Sequence, residues 1–108
     1  MRRLVLSPDA AADIAAIGRY SRREWGAEQG RRYSQQLADR LIKLKQRTKP
    51  GRPRPELGPG VCSLKSGRHV IFFHLESEQV VVARILHESM NAAGRIRSGP
   101  SGGRGGAE

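Results

Sequence analysis

Apolar positions recur with a helical period from Ser7 onward. Ala10, Ile14, Ile17, Ser21 and Trp25 fall on one stripe, the spacing of a helix that buries a single face. Ser7 is a good N-cap, Pro8 suits the first helical turn and Asp9 complements the helix dipole. Gly26 is the natural stop. A second helix is expected over about residues 27–47, with Tyr33, Leu37, Leu41 and Leu44 turned inward. Gln36, Arg40, Lys43 and Arg47 each precede one of these positions or its equivalent, and form an adjacent polar stripe. The short connection predicts an antiparallel αα-hairpin. Leu4-Val5-Leu6, just before it, reads as a short strand.

Lys49-Pro50-Gly51-Arg52-Pro53-Arg54-Pro55 cannot continue a helix, because each proline removes a donor and pushes its predecessor toward extended backbone. Residues 49–60 are therefore expected to be loop. Three strand-like runs follow: Val61 to Lys65, His69 to Glu76, and Gln79 to His87. The links at Ser66-Gly67-Arg68 and Ser77-Glu78 are of hairpin length, which predicts a three-stranded antiparallel meander. The last two strands are apolar on both alternations, as central strands covered on both faces are. The helices account for one face, and a partner would account for the other. The fold class expected is α+β: a short N-terminal strand, an αα-hairpin, and a meander forming one small sheet packed on the helices. Residues 98–108 carry five glycines, two serines and a proline with no large apolar side chain, a composition that cannot offset ordering entropy. The division expected is a folded domain over 1–97 and a disordered tail over 98–108.

Charge changes this picture most. The 108 residues hold twenty Lys and Arg against ten Asp and Glu, a net charge of +10, which calls for an acidic partner. Seven basic residues and no acid lie between Arg40 and Arg54. A single cysteine, Cys62, excludes an internal disulfide framework and a Cys-cluster metal site. No apolar run reaches the length of a membrane span and no secretory signal opens the chain, so a cytoplasmic protein is expected. Phosphate-loop, dinucleotide and nucleophile-elbow patterns are absent, and His69, His74 and His87 lack helical metal-ligand spacing. Neither metal nor cofactor is expected.

Arg84 stands inside Val80-Val81-Val82-Ala83-Arg84-Ile85-Leu86-His87, the most apolar strand. A cation there must pair with an acid, reach solvent, or serve a site. Glu56 or an acid on the neighbouring strand is the expected partner in an ion pair; anion binding is the functional alternative.

Several stretches taken in order resemble the toxins of the RelE/ParE superfamily, and ParE-type toxins most. These are Ser7-Pro8-Asp9-Ala10 with Asp13-Ile14, Arg54-Pro55-Glu56-Leu57-Gly58-Pro59-Gly60-Val61, Gly67-Arg68-His69-Val70-Ile71-Phe72-Phe73, and Arg84-Ile85-Leu86-His87 followed by Met90-Asn91. The resemblance spans about residues 3 to 96. It departs at Cys62, where ParE-like loops often carry a basic residue, and in the tail. It implies the toxin of a type II toxin–antitoxin pair, neutralised in a hetero-oligomer by a ParD-like antitoxin, with DNA met only indirectly through that antitoxin and with no membrane association.

ParE-like members poison DNA gyrase and so block replication, a plasmid-stabilising activity, whereas RelE-like members cut mRNA on the ribosome. RNA cleavage needs a base for the 2′-hydroxyl, an acid for the leaving oxygen and cations for the phosphorane. Arg68, Arg84 and His87 are the residues for that alternative, but the C-terminal run offers no tyrosine. The gyrase reading, with no catalytic residue, is preferred. Arg40, Lys43, Arg47, Arg54, Arg68 and Arg84 are then candidates for antitoxin or target contact. A basic nucleic-acid-binding module is the third reading. It is disfavoured by the length of the second helix and by the expected core placement of Trp25, Phe72 and Phe73.

Overall fold

The computed structural model describes residues 2–46 and 51–96; Arg47 and the proposed tail beyond residue 97 lie outside them. Strand β1 (Arg3–Leu6) leads into a helical span, Pro8–Lys45, followed by β2 (Arg52–Pro53), a 3-10 turn (Pro55–Leu57), β3 (Val61–Ser66), β4 (His69–Leu75) and β5 (Gln79–His87). The five strands form one sheet in the order β1-β5-β4-β3-β2. β3, β4 and β5 make the expected antiparallel meander, and β4 and β5 are central, as their two apolar faces require. Two features are additional. β1 runs parallel to β5, with Leu4 opposite Val80. Arg52–Pro53 pairs with Cys62 and Ser63, so the expected loop contributes a two-residue edge strand, a position where proline's missing N–H costs no ladder bond.

The helical span is a hairpin because of two glycines. Gly26 has φ 90° and ψ 165°, a region essentially confined to glycine, and splits the span into a first leg (8–25) and a second leg (27–45). Gly30 lies where the legs touch: a Cβ there would be 2.8 Å from Arg22 N and 2.9 Å from Arg22 Cα. Ser7 caps the first leg as expected, its Oγ accepting from Ala10 N–H at 2.9 Å.

One core joins the layers. Ala10 and Ile17 from the first leg and Leu37, Leu41 and Leu44 from the second pack on Ile71, Phe73, Val80, Val82 and Ile85. Trp25 departs from the expected stripe. It is 39% exposed, because the apex of the hairpin carries it past the end of the sheet to meet Tyr20 and Tyr33 edge to face.

β5 outruns its parallel neighbour. β1 covers it only as far as Val82, and a register shift follows, in which Phe72 faces Arg84 while Phe73 faces Val82. Ala83 is thus the extra residue of a β-bulge. The start of the first leg satisfies the exposed edge: Ser7 Oγ–H donates to Ala83 O at 2.7 Å, and Ile85 N–H donates to Asp13 Oδ2 at 2.9 Å.

Candidate functional site

The bulge sets the direction of Arg84. Its Nε and Nη2 donate to the two carboxylate oxygens of Asp13 at 2.8 and 2.9 Å, a bidentate fork that only arginine can make. The side chains are 24% and 15% exposed. Asp13 therefore accepts three hydrogen bonds, and its hydrogen bonds hold the Arg84 guanidinium above its already high range. The partner is neither Glu56 nor an acid on the next strand. Glu56 instead takes Arg54 Nε at 2.7 Å, which holds its carboxyl below the usual range, while Arg54 lies over the Phe72 ring at 5.7 Å.

At the far end of the sheet, five rings touch in series: Tyr20, Trp25, Tyr33, His69 and His87, with successive centroids 6.3, 5.4, 5.6 and 5.3 Å apart. His69 and His87 face each other because they are cross-strand partners. Tyr33 accepts the Arg68 N–H at 2.8 Å, donates to Ser66 O at 3.3 Å and lies 2.7 Å from His69 Nδ1. Ser89 N–H donates to His87 Nδ1 at 3.1 Å, which leaves Nε2 as the donor of that ring. Burial, and then His87, holds the His69 imidazole below the usual histidine range. Arg68, His69, His87, Tyr20 and Trp25 line one hollow here, of about 240 Å³.

The sheet face away from the helices carries two further hollows. Leu4, Val80 and Phe73 belong to the core, so alternation turns Val5, Val81 and His74 to this face. One hollow, of about 430 Å³, is lined by these three with Ala83, Glu76, Arg84 and Arg95. Among the described residues, the buried His74 Nε2 finds no hydrogen-bond partner, and it lies 3.3 Å from a Glu76 carboxylate oxygen. The other hollow, of about 590 Å³, has Val70 and Leu64 flanked by Arg52, Arg54 and Lys65. Burial raises the nearby Cys62 thiol above its usual range, so at neutral pH it is a small hydrophobe rather than a thiolate.

The candidates read from the sequence are dispersed over these surfaces. Arg68 and His87 share the ring-walled hollow, and Arg84 lines a different one. Arg54 lines the second hollow of the open sheet face. Arg40 and Lys43 are exposed on the second leg; Arg47 lies outside the described residues. Asp13, Ser7, Tyr33 and Trp25 complete these sites, although the sequence pattern does not mark them as site residues. Asp13 carries a signal, as an acid one turn before Ile17 on a helix edge, but its partner is 71 residues away. No described helix is long and apolar enough to cross a membrane.

Known proteins resemble this chain in sequence and fold. A family model for the ParE toxin of the type II toxin–antitoxin system parDE matches residues 4–92. Toxin ParE1 of Caulobacter vibrioides is 34% identical over 91 residues, 84% of this chain and 94% of that protein. Toxin ParE of Escherichia coli is 35% identical over 97 residues, 89% of this chain and 94% of that protein. Among solved structures, a chromosomal ParDE toxin–antitoxin system from P. aeruginosa has a chain that superposes with a TM-score of 0.69 at 26% identity, covering 81% of this chain and 96% of that one. Hairpin, five-stranded sheet and sequence agree: the chain belongs to the ParE toxin family of type II toxin–antitoxin systems.

Proposed function

We propose that this toxin acts on DNA gyrase and is neutralised by a ParD-like antitoxin. Family membership supports the target, and one observation favours it over RNA cleavage: the Arg84 fork is occupied by Asp13, and Arg84 lines a different hollow from Arg68 and His87. A transition-state cation must face the reacting phosphate, whereas this one ties the first leg to the edge of β5. Arg84 and the Arg-Ile-Leu-His run are then structural, and the protein is a poison of another enzyme. The second reading, a ribosome-dependent ribonuclease, draws on one feature: His69 and His87 bring two imidazoles to the hollow that holds Arg68, and acid–base pairs are built this way.

The antitoxin's seat is the open sheet face. The space between hairpin and sheet is filled by Leu37, Leu41 and Leu44, whereas the open face offers Val5, Val81 and Ala83 in a hollow of mixed charge, with Asp9, Glu76 and Arg95, and Val70 in a hollow bordered by Arg52, Arg54 and Lys65. This apolar floor, with the basic rim of the second hollow, suits an acidic amphipathic segment that orders on binding, with buried side chains giving affinity and charge giving rate. Producing the toxin without antitoxin in cells, and following DNA and protein synthesis separately, tests the target. DNA synthesis should stop first; early arrest of protein synthesis with DNA synthesis continuing would favour the ribonuclease.

A further inference from the structure

The rings at the hairpin apex have no part in that reading. Tyr20 and Trp25 are 47% and 39% exposed, and Arg23 lies over the Tyr20 face at 5.9 Å. Beside the hollow of about 240 Å³ that Trp25 and Arg68 line lies another of about 430 Å³, which shares Tyr20, His69 and His87 and adds Ala16 and Ile17. The walls carry hydrogen-bond donors: the Arg68 guanidinium, the Trp25 indole N–H, the Nε2–H of His87 and the Tyr20 hydroxyl, with the His69 imidazole beside them. Among the described residues no carboxylate lines either hollow.

A ligand matched to these walls has flat π faces and anionic oxygen in one molecule. We propose that this ring-walled hollow binds a nucleotide of single-stranded nucleic acid, with the base against Tyr20 and Trp25 and the phosphate against Arg68 and His87. Base stacking on aromatic side chains, with a cation beside them, is how sequence-tolerant single-strand sites are built. A duplex keeps its base faces inside, so it offers these rings nothing to stack on. A protein segment would ask for an aliphatic floor, and the walls supply only Ala16 and Ile17. The net charge of +10 adds long-range attraction for a polyanion. An expected core placement of Trp25 weighs against nucleic-acid binding in the sequence, and Trp25 is at the surface. The site goes beyond the gyrase reading and does not depend on it.

Trp25 is the single tryptophan, so its fluorescence reports on this hollow directly. The purified full-length toxin is titrated with a thymidine dodecamer, with inorganic phosphate, and with a polyglutamate peptide of matched charge. Saturable quenching by the oligonucleotide alone is expected. Tyr20→Ala and Arg68→Gln should each weaken the apparent Kd about tenfold, in line with the loss of one stacking or one phosphate contact. Arg3→Gln, which removes a charge at the opposite end of β5 where Arg3 pairs with Gln79, should weaken it about twofold or less. Unchanged fluorescence with the oligonucleotide, equal quenching by polyglutamate or phosphate, or losses in Tyr20→Ala and Arg68→Gln no larger than in Arg3→Gln would each overturn the proposal. Equal quenching by polyglutamate would reassign the hollow to an acidic protein segment.

Discussion

Asp13 on the first helical leg and Arg84 on the last strand are joined by two hydrogen bonds, 2.8 and 2.9 Å, across 71 residues of chain. The same carboxylate takes the Ile85 N–H. It therefore closes an edge of β5 that no strand among the described residues covers and turns a basic residue of an apolar strand into a clamp between helix and sheet.

Removing either partner strands the other. Asp13→Ala leaves a partly buried guanidinium and an unpaired Ile85 N–H, and should cost about 2–4 kcal/mol, below the full range for wholly buried pairs because both side chains keep some solvent contact. For a domain of this size that lowers Tm by about 10 °C or more. The double variant Asp13→Ala with Arg84→Ala should cost clearly less than the sum of the single losses. Thermal and urea unfolding of the three proteins measure this, and strict additivity would show that the pair is incidental.

Two glycines of the hairpin should respond with opposite sign. An added Cβ at Gly30 meets Arg22 backbone and must part the legs, so Gly30→Ala should destabilise by about 1–3 kcal/mol. At Gly18 the nearest atoms are 3.5 and 3.7 Å away, on the side chains of Arg22 and Ser34. Gly18→Ala should be neutral or stabilise by up to about 1 kcal/mol, the helix-propensity difference. Urea midpoints compare the two directly.

His69 gives stability a pH dependence of definite sign. Its folded-state pKa lies below the ordinary 6.5, because of burial first and His87 second, against opposing pulls from Glu88 and Asp13. The folded state thus binds this proton less readily than the unfolded chain. Stability from this group is complete above about pH 6.5 and declines as pH falls below that value. Glu56 and Glu88 are held below 4.5 by Arg54 and Lys65, so their contributions persist until the solution is more acid still. Urea unfolding from pH 7.5 to 5 should show falling stability, and His69→Gln should flatten the slope whatever its absolute stability. An unaltered slope in that variant would remove His69 as the cause.

The seat proposed for the antitoxin separates two surfaces. Val81→Glu places a carboxylate on the open sheet face and should weaken antitoxin binding at least about tenfold, while exchanging Arg40 and Lys43 for Gln on the second leg should do so by about threefold or less. Isothermal titration with the cognate antitoxin measures both. The reverse order would move the seat to the hairpin.

Elements governed by neighbouring residues are legible in the sequence. The Ser7-Pro8-Asp9 start, the Gly26 break, the inward leucines of the second leg and the meander all follow from local chemistry and periodicity. What depends on distant partners is not. Arg84 announces that it needs an acid, but the choice of Asp13 over Glu56 is made by the bulge at Ala83 and by where β1 ends. Trp25 continues the helical stripe in sequence and leaves the core in space, because the sheet stops short of the hairpin apex. Arg52–Pro53 is a strand only because β3 presents an open edge to it. The ring-walled hollow is assembled from the first helical leg, the turn between β3 and β4, and two strands, and no single stretch of sequence carries its signature.

Gyrase activity in the presence of the purified toxin is the most direct test of the proposed target. Incubated with DNA gyrase, relaxed plasmid and ATP, the toxin should block supercoiling or accumulate gyrase-linked broken DNA, while mRNA on translating ribosomes stays intact under the same conditions. The contradictory result is rapid cleavage of ribosome-bound mRNA with gyrase activity untouched. If that cleavage also slowed by about 10²–10⁴-fold in His87→Gln, the two imidazoles beside Arg68 would be its acid–base machinery.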